Sequence, residues 1–144
     1  MSRKTARENA FKMLFAMITK GDEHIPEGFY EETEDNEIWT GKEAGKDDKD
    51  YIEKVCPGVS QKESEIDEII KKYLKNWTID RINRVSLAAL RLSIYEILYM
   101  EDIPVKVSVS ESVEIVKKYA GEEDSKFVNG VLGEYIRNEL NTTE

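Results

Sequence analysis

The sequence contains few of the residues on which enzymes and metal sites depend. Its 144 residues include one histidine, His24, and one cysteine, Cys56. A lone cysteine cannot form an intramolecular disulfide, which indicates a reducing compartment. The chain also lacks the spacing of a zinc site, a phosphate-binding glycine loop or a nucleotide fingerprint. We therefore expect no catalytic residue and no cofactor, with His24 in a solvated loop and Cys56 at a helix end. Metal binding by the acidic residues at 47–50 stays an alternative to a solvated helix start.

Long apolar runs are absent as well. No run approaches the roughly 20 residues that cross a bilayer, and the N-terminus lacks the apolar core of a signal peptide. We therefore expect a cytoplasmic protein without membrane contact. The length suits one compact domain spanning residues 1–144.

Charge is unevenly distributed along the chain. The net charge is −9, yet residues 1–20 carry five basic side chains and one acidic one. Residues 21–45 instead carry nine acidic side chains and one lysine. Such a segment is expected to form an acidic loop at about residues 21–46, either mobile or held to the body by Tyr30 and Trp39. A basic N-terminal patch therefore remains for a polyanionic partner.

The first twenty residues predict an amphipathic helix with two distinct faces. Apolar residues share an arc of about 100° and predict a core-facing stripe, at Ala6, Ala10, Met13, Leu14 and Met17. On the neighbouring arc, cations and aromatic rings share one face, at Lys4, Arg7, Phe11 and Phe15. Cations can meet phosphates while rings stack on unpaired bases, so this face favours single-stranded nucleic acid.

Two further helices are predicted in residues 47–74. The first covers residues 47–55 and is expected to end at Cys56-Pro57-Gly58. The second begins at Ser60, which has capping-box spacing with Glu63, and carries isoleucines at helical spacing.

The rest of the chain also predicts helices. Residues 79–100 read as a short helix and a long central one that meet near Arg84. Ser108 and Glu111 offer a capping box for the next helix, and Asp124 or Ser125 can cap the last. No strand pattern competes, so the predicted fold class is all-α.

Two charged residues, Arg91 and Glu96, lie in the otherwise apolar central helix. Because an unpaired buried charge is costly, we expect each to have a buried partner and a structural role.

The run Glu123-Asp124-Ser125-Lys126-Phe127-Val128-Asn129-Gly130-Val131-Leu132 is more specific than a helix start requires. Glycine inside a helix costs about 1 kcal/mol relative to alanine, so Gly130 suggests a close approach by another group. The run closely resembles the C-terminal signature of the NusB family of bacterial antitermination factors. Residues 7–15 are similar to the first helix of that family. Its middle segments resemble Trp77, Arg81-Ile82 and residues 90–96 and 110–114. The resemblance covers about residues 3–20 and 48–138.

The resemblance implies a helical bundle in which an N-terminal three-helix unit packs against a C-terminal helical unit. It also implies a non-enzymatic factor, monomeric or homodimeric, that binds single-stranded boxA-type RNA with the ribosomal protein NusE in an RNA polymerase antitermination complex. The RNA-binding residues carried over from the family are Arg3, Lys4, Arg7, Lys12, Phe15, Asp124, Lys126, Phe127 and Asn129. For Phe15 and Phe127, packing in the core is an equal alternative to stacking on RNA.

Two other functions stay open at this point. NusB-like domains also occur fused to RNA cytosine methyltransferases, although this chain ends at Glu144 without such a sequence and a free-standing factor is expected. A helical adaptor whose basic patch binds acidic proteins is the second alternative. Salt-dependent binding of boxA-like RNA, compared with a scrambled oligomer, separates these readings.

Overall fold

The computed structural model describes residues 3–20, 46–75 and 78–140. These residues form six α-helices: α1 (Arg3–Lys20), α2 (Lys46–Gln61), α3 (Glu63–Lys72), α4 (Arg84–Tyr99), α5 (Val105–Ala120) and α6 (Glu122–Tyr135). A 3-10 turn, Ile79–Arg81, precedes α4, and a π-helical turn, Ile136–Leu140, follows α6. The described residues contain no strand, which confirms the all-α class.

Helix α4 lies at the centre of the bundle and contacts each of the other five helices. It is the helix whose predicted apolar residues occupy nearly every side, and ten of its residues are buried. On one side α1, α2 and α3 pack around it, and on the other α5 and α6 pack against it and each other. The predicted N-terminal and C-terminal helical units therefore both pack against α4.

Side-chain burial follows the predicted stripes. In α1 the five stripe residues are all buried, and in α6 the buried residues include Val128, Val131, Leu132 and Tyr135. Arg91 was expected to have a buried partner, and its guanidinium donates two hydrogen bonds of 2.9 and 2.8 Å to the carboxylate of Asp67, which is half-buried.

Several helix ends differ from the prediction. Helix α2 continues through Pro57 to Gln61, because Val55, Cys56 and Val59 all pack in the core and hold the proline turn in place. Cys56 is therefore a buried residue inside a helix, and burial raises the pKa of its thiol.

Neither predicted capping box forms. Ser60 lies in the last turn of α2, and α3 starts at Glu63 after a single linking residue. Helix α5 starts at Val105, so Ser108 lies within the helix, where its hydroxyl hydrogen-bonds to another side chain.

Other predictions fall outside the described residues. These include the acidic loop at about residues 21–46, His24, Tyr30 and Trp39. In the described part of the chain, no group of three or more His, Cys, Asp or Glu residues is arranged to hold a metal ion. No helix there is both long and apolar enough to cross a membrane.

Candidate nucleic-acid interface

Helix α1 contributes four of the predicted cations and one ring. Lys4 is exposed, whereas Lys12 and Phe15 are half-buried. Desolvation lowers the pKa of the Lys12 amine, and nearby Lys118 adds to this, while Glu8 acts in the opposite direction. Arg3 is the first residue of the helix, and its side chain lies outside the described part of the structure.

The prediction that Arg7 belongs to an exposed RNA-binding face is wrong. Its side chain is only 2% exposed, and its Nε donates hydrogen bonds of 3.1 and 2.9 Å to the carboxylate oxygens of Glu96. Glu96, which is fully buried, also accepts hydrogen bonds from Tyr51 and Ser108. Glu96 thus has the buried partner that was expected of it, and that partner is the arginine assigned to RNA.

The end of α5 packs against the same helix. Glu8 of α1 accepts hydrogen bonds from the Lys118 amine, at 2.7 Å, and from the Tyr119 hydroxyl. The ring of Tyr119 lies 5.4 Å from that of Phe11, which is buried, and the Lys118 amine lies 5.3 Å from the Tyr119 ring. These contacts join α1 to the segment that leads into α6. Lys118 and Tyr119 were not predicted as site residues, although they immediately precede the glycine turn.

The α5–α6 turn places the signature run at the start of α6. Gly121, with a φ of 101°, ends α5 and precedes the first residue of α6. A positive φ of this size favours glycine, which has no Cβ to clash with the backbone. Asp124 therefore lies in the first turn and does not cap the helix, and the Ser125 hydroxyl donates to the Glu122 carbonyl instead of acting as a cap.

The four predicted residues of α6 line connected concavities. We call the first one the Asp124 groove; its volume is about 430 Å³, and it is lined by Arg81, Asn83, Ser86, Glu123, Asp124 and Phe127. It brings two carboxylates, an amide and an arginine beside the half-buried ring of Phe127. These groups can hydrogen-bond to the edges of a base while the ring stacks on its face.

Two more grooves flank the same helix. We call one the Gly130 groove; its volume is about 310 Å³, and it is lined by Tyr73, Lys75, Lys126, Phe127, Gly130, Val131, Glu134 and Arg137. The other, of about 820 Å³, lies between α5 and α6 and is lined by Val105, Val109, Val113, Lys126 and Asn129 among others. Phe127 and Lys126 each line two of the three grooves. No α1 residue lines any of these three grooves.

Three of the cations in these grooves were missed from the sequence. Lys75 lies in the turn after α3, Arg81 belongs to the 3-10 turn, and Arg137 belongs to the π-helical turn after α6. Arg81 lies in a stretch that resembles the family, but none of the three is among the residues carried over as RNA-binding. Only the packing of these three turns around Phe127 brings them together.

Comparison with known proteins identifies the family to which the chain belongs. The NusB family model matches residues 4–137. The chain is 42% identical to the transcription antitermination protein NusB of Clostridium botulinum (strain Hall), over 94% of this chain and 100% of that protein. NusB of Listeria innocua is also 42% identical, over 92% of this chain and 94% of its own length.

Solved structures agree with this result. NusB from T. maritima superposes with a TM-score of 0.80 at 30% identity, covering 96% of this chain and 92% of that one. NusB in a complex of the antitermination factors NusB and NusE with double-stranded RNA superposes with a TM-score of 0.75 at 32% identity, covering 94% and 96%. Sequence, fold and signature run agree, and the chain belongs to the NusB family of transcription antitermination proteins, a family of non-enzymatic factors.

Proposed function

We propose that this protein binds a short single-stranded boxA-type RNA together with NusE, and that the pair joins an antitermination complex on RNA polymerase. The solved NusB–NusE complex with RNA supports both partners, although the RNA in that complex is double-stranded. The single observation that carries the proposal is the arrangement on α6. Asp124, Lys126, Phe127 and Asn129 put a carboxylate, a cation, a ring and an amide on contiguous grooves within six residues.

The RNA surface that we propose keeps all but one of the predicted residues: Arg3, Lys4, Lys12, Phe15, Asp124, Lys126, Phe127 and Asn129. Arg7 is left out because its guanidinium is buried against Glu96. The lysines contact phosphates, and Phe127 stacks on a base. No bond is made or broken, so the protein acts by assembling RNA and partner into one complex.

The first turn of α6 constrains how the RNA lies. Glu122, Glu123 and Asp124 place three carboxylates there, which repel phosphate. A carboxylate can instead accept a hydrogen bond from the amino group of a base. We therefore place a base edge at Asp124 and the phosphate path on the Lys126 side of Phe127.

The decisive experiment measures binding of boxA-type RNA and of a scrambled oligomer of equal length, each single-stranded and double-stranded, with and without NusE. We expect tighter binding of single-stranded boxA-type RNA, with a salt-dependent affinity and a gain from NusE. Lys126→Gln should weaken binding, while Lys71→Gln, an exposed lysine on α3 outside the grooves, should not. Equal binding of boxA-type and scrambled RNA would contradict the proposal and favour a protein-binding adaptor.

The same proposal places the protein in the cytoplasm, where nascent RNA leaves the polymerase, as one domain spanning residues 1–144. We also propose that it works as a monomer or homodimer. Light scattering of the free protein and of its RNA complex measures which of the two binds RNA.

A further inference from the structure

Phe127 lines both the Asp124 groove and the Gly130 groove. A base stacked on its ring therefore has neighbouring nucleotides that must pass beside one groove or the other. The Asp124 groove contains two carboxylates and one arginine, which suits base edges more than phosphates. The Gly130 groove has the opposite charge balance.

Three cations line the Gly130 groove, and they face one carboxylate. Lys75 and Arg137 have side chains that are 75% and 67% exposed, and both pair with Glu134, at 3.5 and 3.3 Å. Lys126 adds a third positive charge. An excess of positive charge in one groove of a chain with a net charge of −9 indicates an anionic ligand.

Gly130 lines this groove without a side chain. A Cβ added at this position meets no atom within 4 Å, and the backbone does not have a positive φ. The fold itself thus has no need of glycine in this helix, where alanine favours helix formation. A missing side chain on an exposed, cation-lined surface lets a ligand backbone approach the helix closely.

We propose that the Gly130 groove binds the RNA phosphodiester next to the nucleotide that stacks on Phe127, with Lys75 and Arg137 contacting the phosphate oxygens. Gly130 provides the room for this approach, and Glu134 competes with the phosphate for the two cations. This inference rests on the proposed RNA binding and extends it to residues outside the family motifs.

Charge removal tests the phosphate contacts. Lys75→Gln and Arg137→Gln should each weaken binding of single-stranded boxA-type RNA about two- to fivefold and lower the slope of log K against log salt by about 0.7. Lys72→Gln is the matched control, because Lys72 also pairs with a carboxylate, Glu139, and is 61% exposed but does not line the groove. Glu134→Gln should tighten binding, since it removes the competing carboxylate.

Gly130→Ala tests the close approach without harming the fold. The variant should melt about 3 °C higher, because alanine favours the helix, and should still bind RNA more weakly than the parent. Phe127→Leu, measured in parallel, reports on the RNA site itself. If Phe127→Leu weakens binding while the Lys75, Arg137 and Gly130 variants bind like the parent, the groove assignment fails and the proposed function stands. If the parent does not bind boxA-type RNA, both fail.

Discussion

The carboxylate of Glu96 is held inside the protein by donors from three other helices. Arg7 comes from α1, Tyr51 from α2 and Ser108 from α5, while Glu96 itself belongs to α4. A buried charge of this kind is tolerated only when its partners stay in place. The cluster is therefore sensitive to the loss of any one donor.

Arg7→Ala should lower the free energy of unfolding by about 3 to 5 kcal/mol, because it leaves the Glu96 carboxylate buried without its counter-ion. Urea unfolding measures the change. Lys4→Ala, an exposed cation on the same helix, is the control and should change stability by under about 0.5 kcal/mol. A loss for Arg7→Ala as small as that of the control would contradict the structural role.

Helical phase could not separate Arg7 from an RNA-binding cation. It correctly put Arg7 on an arc next to the core stripe, but the residue that neutralises it is 89 positions away. A buried ion pair and an exposed basic patch have the same local pattern, and only the packing of α4 against α1 distinguishes them. The prediction that Glu96 needs a buried partner was sound because it depended on the cost of burial alone.

Phe127 is half-buried, and it packs against the core while lining two grooves. The prediction of core packing therefore applies in part, and stacking on RNA stays a prediction. Phe127→Ala should cost less stability than the about 3 to 5 kcal/mol of a fully buried phenylalanine, and about 1 to 3 kcal/mol of RNA affinity. Phe127→Leu keeps apolar volume and should lose affinity with a nearly unchanged denaturation midpoint. A loss of stability in both variants with full RNA affinity would assign the ring to the core alone.

At the scale of helices, the contact between α1 and α5 depends on Glu8. Desolvation raises the pKa of its carboxyl, but hydrogen bonds from Lys118 and Tyr119 and the Lys118 charge outweigh it, so the pKa lies below the ordinary value of 4.5. Because the pKa of Glu8 is lowered on folding, its carboxylate stabilises the folded state at pH values above that ordinary pKa. The contribution is lost as the pH falls through the folded pKa.

Glu8→Gln should therefore make the melting temperature less dependent on pH below about 4.5 than it is in the parent. Thermal unfolding at a series of pH values measures this dependence. Glu53→Gln, an exposed carboxyl on α2, serves as the control for general acid effects. Identical pH profiles for the parent and Glu8→Gln would contradict the stabilising contact.

Two of the helical glycines, Gly58 and Gly130, should respond in opposite ways to replacement by alanine. A Cβ at Gly58 would lie 2.4 Å from the hydroxyl of Tyr95, whose ring is buried against α2, whereas Gly130 has open space. Gly58→Ala should cost about 1 to 3 kcal/mol by overpacking, despite the better helix propensity of alanine. Chemical denaturation of both variants gives the comparison. A Gly58→Ala protein more stable than the parent would contradict overpacking and show that the Tyr95 side chain moves aside at little energetic cost.

Helix interiors were predictable from the sequence, and helix ends were less so. The apolar spacing in α1 and α6 gave their buried faces, because burial imposes the helical period directly. The predicted capping box at Ser108 and Glu111 does not form, because Ser108 lies inside α5, where its hydroxyl donates to Glu96 of α4. The grooves around Phe127 could not be predicted from local sequence patterns, because their walls combine α6 with the turn after α3, the 3-10 turn, the start of α4 and the π-helical turn.

At the scale of the whole molecule, charge is segregated along the chain. Deleting residues 27–43 removes seven acidic side chains and one lysine from a protein of net charge −9. We expect RNA affinity to rise, most at low salt, where repulsion acts beyond about 10 Å. Titrations at two salt concentrations measure the gain. An equal RNA affinity of both proteins at low salt would show that the negative charge of this segment does not weaken RNA binding.

The pairing of Arg7 with Glu96 also sets an order of events during synthesis. The ribosome makes α1 first, but Glu96, whose carboxylate pairs with Arg7, is synthesised 89 residues later, and Ser108 follows later still. A nascent chain stopped before α4 has no partner for that buried guanidinium, so α1 cannot dock in its final orientation. The lysines at the start of the chain thus reach their native arrangement only after most of the protein has been translated.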